Sequence, residues 1–262
     1  MPDAADLVLV DDRGPVRILT LNRPDKANAF NERLYQAAAD ALQRAAADDA
    51  VSVVVITGAG RVFSAGVDIH EMTDVIPNGE GDGPAERGGP GRAFDAFVDT
   101  LAEFPKPVVA AVNGAAVGIG FTMLLHCDLV LVSEFARLRA PFTTMGVAPE
   151  AASSFLLPRR AGRQRAALSL FTSDWIAPEE AVEHGLAIKV CPADRLVEDA
   201  AELAGHIAEH PLPSLVATKR LVLDAEREGI RRARELEGQA FGELLRLPDA
   251  RARVTSQLHK EP

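Results

Sequence analysis

Val108-Val109-Ala110-Ala111-Val112-Asn113-Gly114-Ala115-Ala116-Val117-Gly118-Ile119-Gly120-Phe121-Thr122-Met123-Leu124-Leu125-His126-Cys127-Asp128 is the stretch around which the chain is organised. An apolar, β-branched run of strand length stops at Asn113-Gly114, crosses small residues to Gly118 and Gly120, and continues as an apolar segment of helical length. The pattern predicts a strand, a tight glycine turn and a buried helix. Such a turn can hold unpaired backbone N–H groups at a helix N-terminus against an anion or a developing oxyanion, because glycine lets the backbone come close to a ligand. The same glycines would equally serve a helix packed tightly on a strand, and this stretch alone leaves both readings open. Their order, G-x-x-x-G-x-G, is not the G-x-G-x-x-G of a dinucleotide fold.

Upstream, residues 7–10 and 16–21 read as two strands joined by a polar hairpin turn, followed by an irregular loop over 22–30 whose cations are Arg23 and Lys26. Asn31 is placed to cap a helix that puts Leu34, Ala38, Ala41, Leu42 and Ala45 on one face. Residues 51–57 form an almost continuous apolar strand, the pattern of a sheet covered on both faces. Residues 61–72 then predict a second short strand that breaks at Gly66 and enters a helix, with Asp68 near its start. The turns at Gly66 and Gly118 therefore repeat one local architecture, and two converging N–H groups would make a bidentate site for one oxygen. The Gly- and Pro-rich residues 73–91 read as a mobile loop, and 93–104 as a helix.

Downstream, 129–133 and 136–140 are strands, and a loop ends in Glu150 before a helix near 151–157. Helices follow at 163–170, at 178–184 with Gly185 as C-cap, and at 197–209, with a strand at 187–190. Residues 215–226, 231–247 and 248–260 make a helical tail.

A chain of 262 residues can bury a large core as one domain with or without a helical appendage. Its 47% hydrophobic and 25% charged residues are ordinary for a soluble globular protein. No apolar run is long enough to span a membrane. The net charge of -10 argues against a nucleic-acid partner. Cys127 and Cys191 lack any C-x-x-C or histidine pattern, so they read as small buried hydrophobes and no metal site is expected. The acidic N-terminus is unlike a signal peptide and the C-terminus carries no peroxisomal address, so a cytoplasmic location is expected.

Four separated stretches carry a resemblance: Asn22-Arg23-Pro24-x-Lys26-x-Asn28-Ala29, Phe63-Ser64-Ala65-Gly66-Val67-Asp68-Ile69, Val112-Asn113-Gly114-x-Ala116-x-Gly118-x-Gly120, and Cys127-Asp128. In this order they resemble the crotonase superfamily, the enoyl-CoA hydratases and isomerases. The resemblance implies an α/β fold, a crotonase-like (ClpP/crotonase) spiral of ββα turns. It places the core and acyl-CoA site in residues 1–200 and a helical trimerisation region in 201–262. It further implies an acyl-CoA thioester substrate, no cofactor apart from the coenzyme A carried by that substrate, and a homotrimer or a dimer of trimers. By the same resemblance the backbone N–H groups of Val67 and Ile119 form an oxyanion hole. Arg23 and Lys26 meet the coenzyme A phosphates, and Ala65, Asp68 and Ile69 hold its adenine.

Removing a proton beside a thioester carbonyl leaves an enolate, whose oxygen two N–H donors would stabilise while a separate group acts as base. Hydratases of this family carry two glutamates that position water, at positions matching Thr122 and Phe142, and neither is acidic here. Residues 148–155 and 116–119 instead resemble the Δ3,Δ2-enoyl-CoA isomerases of the kind found in peroxisomes. There a single glutamate, matching Glu150, shuttles a proton from C2 to C4. One carboxylate suffices for that transfer, whereas adding water needs a second group to hold the nucleophile. Two alternatives remain: a hydratase in which Glu150 alone activates water, and a catalytically weak acyl-CoA-binding homologue. Read without the resemblance, Pro149-Glu150 simply opens a helix, Thr122 bonds within its helix, His126 sits near a helix end, and His70 touches ligand or solvent.

Overall fold

The computed structural model describes residues 7–69 and 91–257. The loop expected over 73–91 lies, but for Gly91, outside the described residues, as does His70. Strands β1 (Val8–Arg13) and β2 (Val16–Leu21) form an antiparallel hairpin, with the turn at Gly14 and Pro15. Onto β2 are added, all in parallel, β3 (Val53–Gly58), β4 (Val108–Val112), β6 (Leu129–Ser133) and β8 (Lys189–Cys191). The remaining strands, β5 (Ala115–Val117) and β7 (Arg137–Arg139), pair in parallel as a separate small sheet.

Every residue of β3 and of β4 is buried, which explains why these strands read as unbroken apolar runs. Alternate side chains serve different cores. Val54 and Ile56 join the cluster that includes helix α1 (Glu32–Ala47) and helix α2 (Arg92–Ala102), while Val53 and Val55 point to the opposite cluster. The cap of α1 forms as expected, with Asn31 Oδ1 accepting the Leu34 N–H at 2.9 Å. All five residues expected on its inward face are buried.

The spiral arises because the chain turns at the end of a sheet strand and lays a short extended segment in a second layer. Residues 63–67 follow β3, β5 follows β4, and β7 follows β6. Ser64 bridges to Ala116, and β5 pairs with β7, so the three segments stack side by side. Each then enters a helix: one begins at Ile69, and the others are α3 (Ile119–Thr122) and α4 (Phe142–Met145). This is the expected succession of ββα turns.

Two local expectations are corrected. The strand expected within 61–72 is held only by single bridges at Ser64 and Val67, because its other polar groups bond to the loop over 22–30. The apolar segment after Gly118 is not one helix. The four-residue α3 passes directly into a 3-10 turn, Met123–His126, and all eight residues are buried, so packing on every side sets its path.

The C-terminal half supplies α5 (Ser153–Ala161), α6 (Arg163–Thr172), α7 (Pro178–Glu183), α8 (Leu196–Ala208), α9 (Leu212–Asp224), α10 (Arg227–Leu245) and α11 (Pro248–Gln257). Helix α8 runs across residue 200 and covers the second face of the large sheet with Leu196, Ala200 and Ala204. Helix α10 packs back on α5, and α11 on α4.

Close backbone packing fixes how the two layers meet. A β-carbon on Gly114 would lie 2.0 Å from the Arg61 carbonyl oxygen, and one on Gly120 would lie 2.7 Å from that of Ser64. Gly205, inside α8, has open space where a β-carbon would stand. Gly114→Ala is therefore expected to lower the unfolding free energy by about 3 kcal/mol or more. Gly205→Ala is expected to raise it by up to about 1 kcal/mol through helix propensity. Urea denaturation of the two variants checks both signs, and an unchanged midpoint for Gly114→Ala would show that the layers are not held in backbone contact there.

Candidate active site

The two bends meet. Gly66 (φ 96°) and Gly118 (φ 53°) both occupy backbone regions that side chains disfavour. A β-carbon on Gly66 would lie 2.8 Å from the Val117 carbonyl oxygen, and one on Gly118 would lie 3.8 Å from Gly66 Cα. Within the glycine-rich stretch, Gly114 and Gly120 permit close packing, while Gly118 turns the chain.

The first bend is braced by the loop over 22–30. Phe30 N–H donates to the Gly66 carbonyl and Asp68 N–H to the Phe30 carbonyl, both at 2.7 Å, so the Val67 N–H between them is turned away from this pairing. Asn28, fully buried, ties the same loop to the end of β3, its side-chain amide donating to the carbonyls of Ala59 and Val62 at 2.9 and 2.7 Å. At the second bend, Ile119 is the first residue of α3, so its N–H has no partner within the helix. Neither the Val67 nor the Ile119 N–H meets an acceptor among the described residues.

Val67 and Ile119 line one cavity of about 480 Å³ together with Glu150. Its apolar wall includes Phe142, Met145, Val147 and Phe241. A β-carbon on Gly118 would stand 4.0 Å from Glu150 Oε1, so the carboxylate faces the second bend. Among the described residues lining this cavity, Glu150 is the one carboxylate. Burial pushes its pKa up to about 8, and the nearby carboxylate of Glu237 adds to the rise.

Glu150 does not open a helix in the way expected. α5 begins at Ser153, after Ala151 and Ala152 have both adopted left-handed conformations (φ 56° and 59°). Non-glycine residues held there cost on the order of 1 kcal/mol each, so the surroundings must hold the turn. Ser153 does so from within, its hydroxyl donating to the Glu150 carbonyl at 2.6 Å. His126 Nε2 reaches the Ala151 carbonyl at 2.7 Å. Burial pushes the His126 pKa down to about 4, which keeps the ring neutral and leaves a single proton for this bond. Glu237, on α10, accepts the N–H groups of Ala152 and Ser154 at 2.7 and 2.8 Å.

Of the residues expected to contact the ligand, Ala65 and Ile69 line the cavity, whereas Arg23, Lys26 and Asp68 do not. Arg23 and Asp68 pair with each other at 3.1 Å, both mostly buried, and Lys26 is exposed. At the positions matching the hydratase glutamates, Phe142 forms cavity wall, while Thr122 is fully buried with its hydroxyl lacking a partner among the described residues. His126, Asn28 and Glu237 acquire positions in the site that sequence reasoning did not assign. Asn28 stood within a quoted motif. Nothing local in the helical tail distinguishes Glu237.

Comparison with known proteins finds relatives of this sequence and of this fold. The enoyl-CoA hydratase/isomerase family profile matches residues 12–260. The 2,3-dehydroadipyl-CoA hydratase of Escherichia coli is 33% identical over 97% of this chain and 96% of its own. The enoyl-CoA delta isomerase 2 of Rattus norvegicus is 35% identical over 88% of this chain and 58% of its own. The crystal structure of an enoyl-CoA hydratase/isomerase from Pseudoalteromonas atlantica superposes with a TM-score of 0.87 at 36% identity, covering 98% of both chains. Among the described residues no helix is long and apolar enough to cross a membrane.

The raised proton affinity of Glu150 has a consequence for stability. The folded protein keeps this proton up to about pH 8, whereas the unfolded chain releases it near the ordinary value of 4.5. The native state therefore binds more protons in between, and its stability falls as pH rises toward 8, by at most about 1.4 kcal/mol per pH unit. His126 acts oppositely, its folded pKa being depressed, but only below the ordinary value of 6.5. Glu150→Gln is thus expected to flatten the decline in stability between pH 6.5 and 8, measured by urea denaturation at fixed pH. Parallel curves for variant and parent would contradict a proton held at Glu150.

Proposed function

The chain belongs to the enoyl-CoA hydratase/isomerase family and is an acyl-CoA enzyme of it, and from that premise we propose that it moves a double bond from position 3 to position 2 of an enoyl-CoA. The observation that carries this reading is the single carboxylate, Glu150, facing the junction of two glycine bends among the described lining residues. In the proposed reaction the thioester oxygen accepts both the Val67 and the Ile119 N–H. Glu150 removes a proton from C2, and the electron pair passes into a dienolate whose charge rests on that oxygen. The carboxylic acid so formed returns the proton to C4, the remaining double bond lies between C2 and C3, and no atom is gained or lost. Two preorganised amides matter because losing one such donor typically costs on the order of 100-fold to 1000-fold.

The environment of Glu150 suits the task. A carboxylate whose pKa is raised toward the operating pH is a stronger base than an exposed one, and its neutral form is at ease in the same buried site. The apolar wall of Phe142, Met145 and Val147 suits an acyl chain. Ala65 and Ile69 are proposed to meet the coenzyme A portion, with Lys26 toward its phosphates. In this assignment Arg23 and Asp68 act as a pair that steadies the first bend. We further propose a homotrimer, alone or paired, with residues 201–262 contributing contacts. Exposed Phe135, Leu168 and Phe171 are apolar surface of the kind an assembly covers.

Purified protein is expected to convert a 3-enoyl-CoA to its conjugated isomer and to leave a trans-2-enoyl-CoA unhydrated, followed by absorbance and mass. Glu150→Gln should lower isomerisation by about 100-fold to 10000-fold. It should leave acyl-CoA affinity within a few-fold, because the amides persist. For the parent enzyme kcat/KM should climb with pH to a plateau above about 8, since the ionised carboxylate is the base. Hydration of the 2-enoyl substrate, or full turnover by Glu150→Gln, would refute the assignment.

A further inference from the structure

The carboxylate of Glu150 is carried by a turn that its own residues hold only in part, through Ser153 on the Glu150 carbonyl. Ala151 and Ala152 are both left-handed and buried, and the turn has backbone N–H groups that are satisfied from outside it. Glu237 meets two of these groups, one on each carboxylate oxygen: Oε2 takes the Ala152 N–H and Oε1 the Ser154 N–H. It is 5% exposed, in the middle of α10, on a different element from every residue that forms the bends. Burying a carboxylate is costly unless its oxygens are satisfied, so a surface-helix sequence would not place one here without a use for it.

We propose that Glu237 is the positioning residue for Glu150: it clamps the strained turn from the side of α10 and holds a second negative charge beside the cavity. This rests on the assignment of Glu150 as the base. The clamp is two-sided, since His126 Nε2 donates to the Ala151 carbonyl, in the same peptide group as the Ala152 N–H that Glu237 accepts. The charge has few competitors. Burial pushes the Glu237 pKa up, and the hydrogen bonds from Ser154 and Ala152, then Arg234 of α10, hold that rise back. Toward Glu150 itself the acting charge is that of Glu237. Arg139, the last residue of β7, and Arg253, on α11, also line the cavity, with Arg139 Nε committed to the Ser173 carbonyl and Arg253 Nε to Asp249. His126 is neutral, and Arg160 of α5 donates to the Leu125 and Cys127 carbonyls.

A residue that only stabilised the fold would lower kcat and acyl-CoA affinity together. A positioning residue lowers kcat alone and changes the proton affinity of the group it serves. Glu237→Gln keeps the volume, removes the charge and turns one acceptor into a donor that faces an N–H. The full-length variant should lose at least 10-fold in kcat on a 3-enoyl-CoA with KM within about 2-fold. Its acid limb should move to lower pH, because the charge that adds to the effect of burial on Glu150 is gone. Glu237→Asp, which keeps the charge but withdraws it by one methylene, should retain the parent's limb more nearly than Glu237→Gln. Wild-type kcat and limb in Glu237→Gln would overturn the proposal. So would a joint loss of kcat and of acyl-CoA affinity in both variants, which marks a structural residue. Glu150→Gln assayed beside them separates the two claims: if it turns over normally the base assignment fails, and if it is inactive while Glu237→Gln is normal only the clamp fails.

Discussion

The whole site depends on two stretches of main chain being in contact at Gly66 and Gly118. With Val117's carbonyl 2.8 Å from where a Gly66 side chain would begin, nothing larger than hydrogen fits between the bends. Because the contact is backbone to backbone, the N–H groups of Val67 and Ile119 are fixed by the fold and not by any side-chain rotamer. Preorganisation of this kind is what makes backbone donors effective toward developing charge, since no dipole has to reorient during reaction. In the proposed reaction valine and isoleucine can therefore serve at these positions, since their side chains fill the core or the wall and the chemistry is left to the peptide group.

Everything else in the molecule can be ranked by its distance from that contact. The parallel sheet supplies strands whose ends deliver the bends in register, β3 pairing with β4 through Val54, Val55 and Ile56. Small residues allow the layers to touch: Gly114 against Arg61, Gly120 against Ser64. The loop over 22–30 props the first bend through Asn28, Phe30 and the Arg23–Asp68 pair. The C-terminal helices bring up the acid, with α10 holding the turn after Glu150 and lending Phe241 to the cavity wall. Glu150, buried and basic, is therefore the product of three separate regions of sequence meeting.

Much of this was legible in the residues. The two bends, the capped helix α1, the doubly buried strands and the helical tail follow from periodicity and from where glycine, proline and asparagine stand. Glu150 stood out because the positions matching a hydratase pair are threonine and phenylalanine. What the sequence did not disclose are contacts between distant segments. The pairing of Arg23 with Asp68 needs the loop folded over the first bend, and residue spacing does not encode that. The turn through Ala151 and Ala152 is opaque for a different reason: alanine favours helix, and it is the contacts of Ser153, His126 and Glu237 that hold both residues left-handed. Glu237 is opaque for the same reason, since a glutamate in an amphipathic helix reads as solvated surface until α5 is packed on it.

The most direct test of the account is a crystal structure of the Glu150→Gln variant with a 3-enoyl-CoA bound. The account predicts the thioester oxygen about 3 Å from both the Val67 and the Ile119 nitrogens, with the residue 150 amide lying over C2 and C4 of the chain. A thioester oxygen bonded to other donors, or an acyl chain that leaves residue 150 on the far side of the cavity, would contradict it.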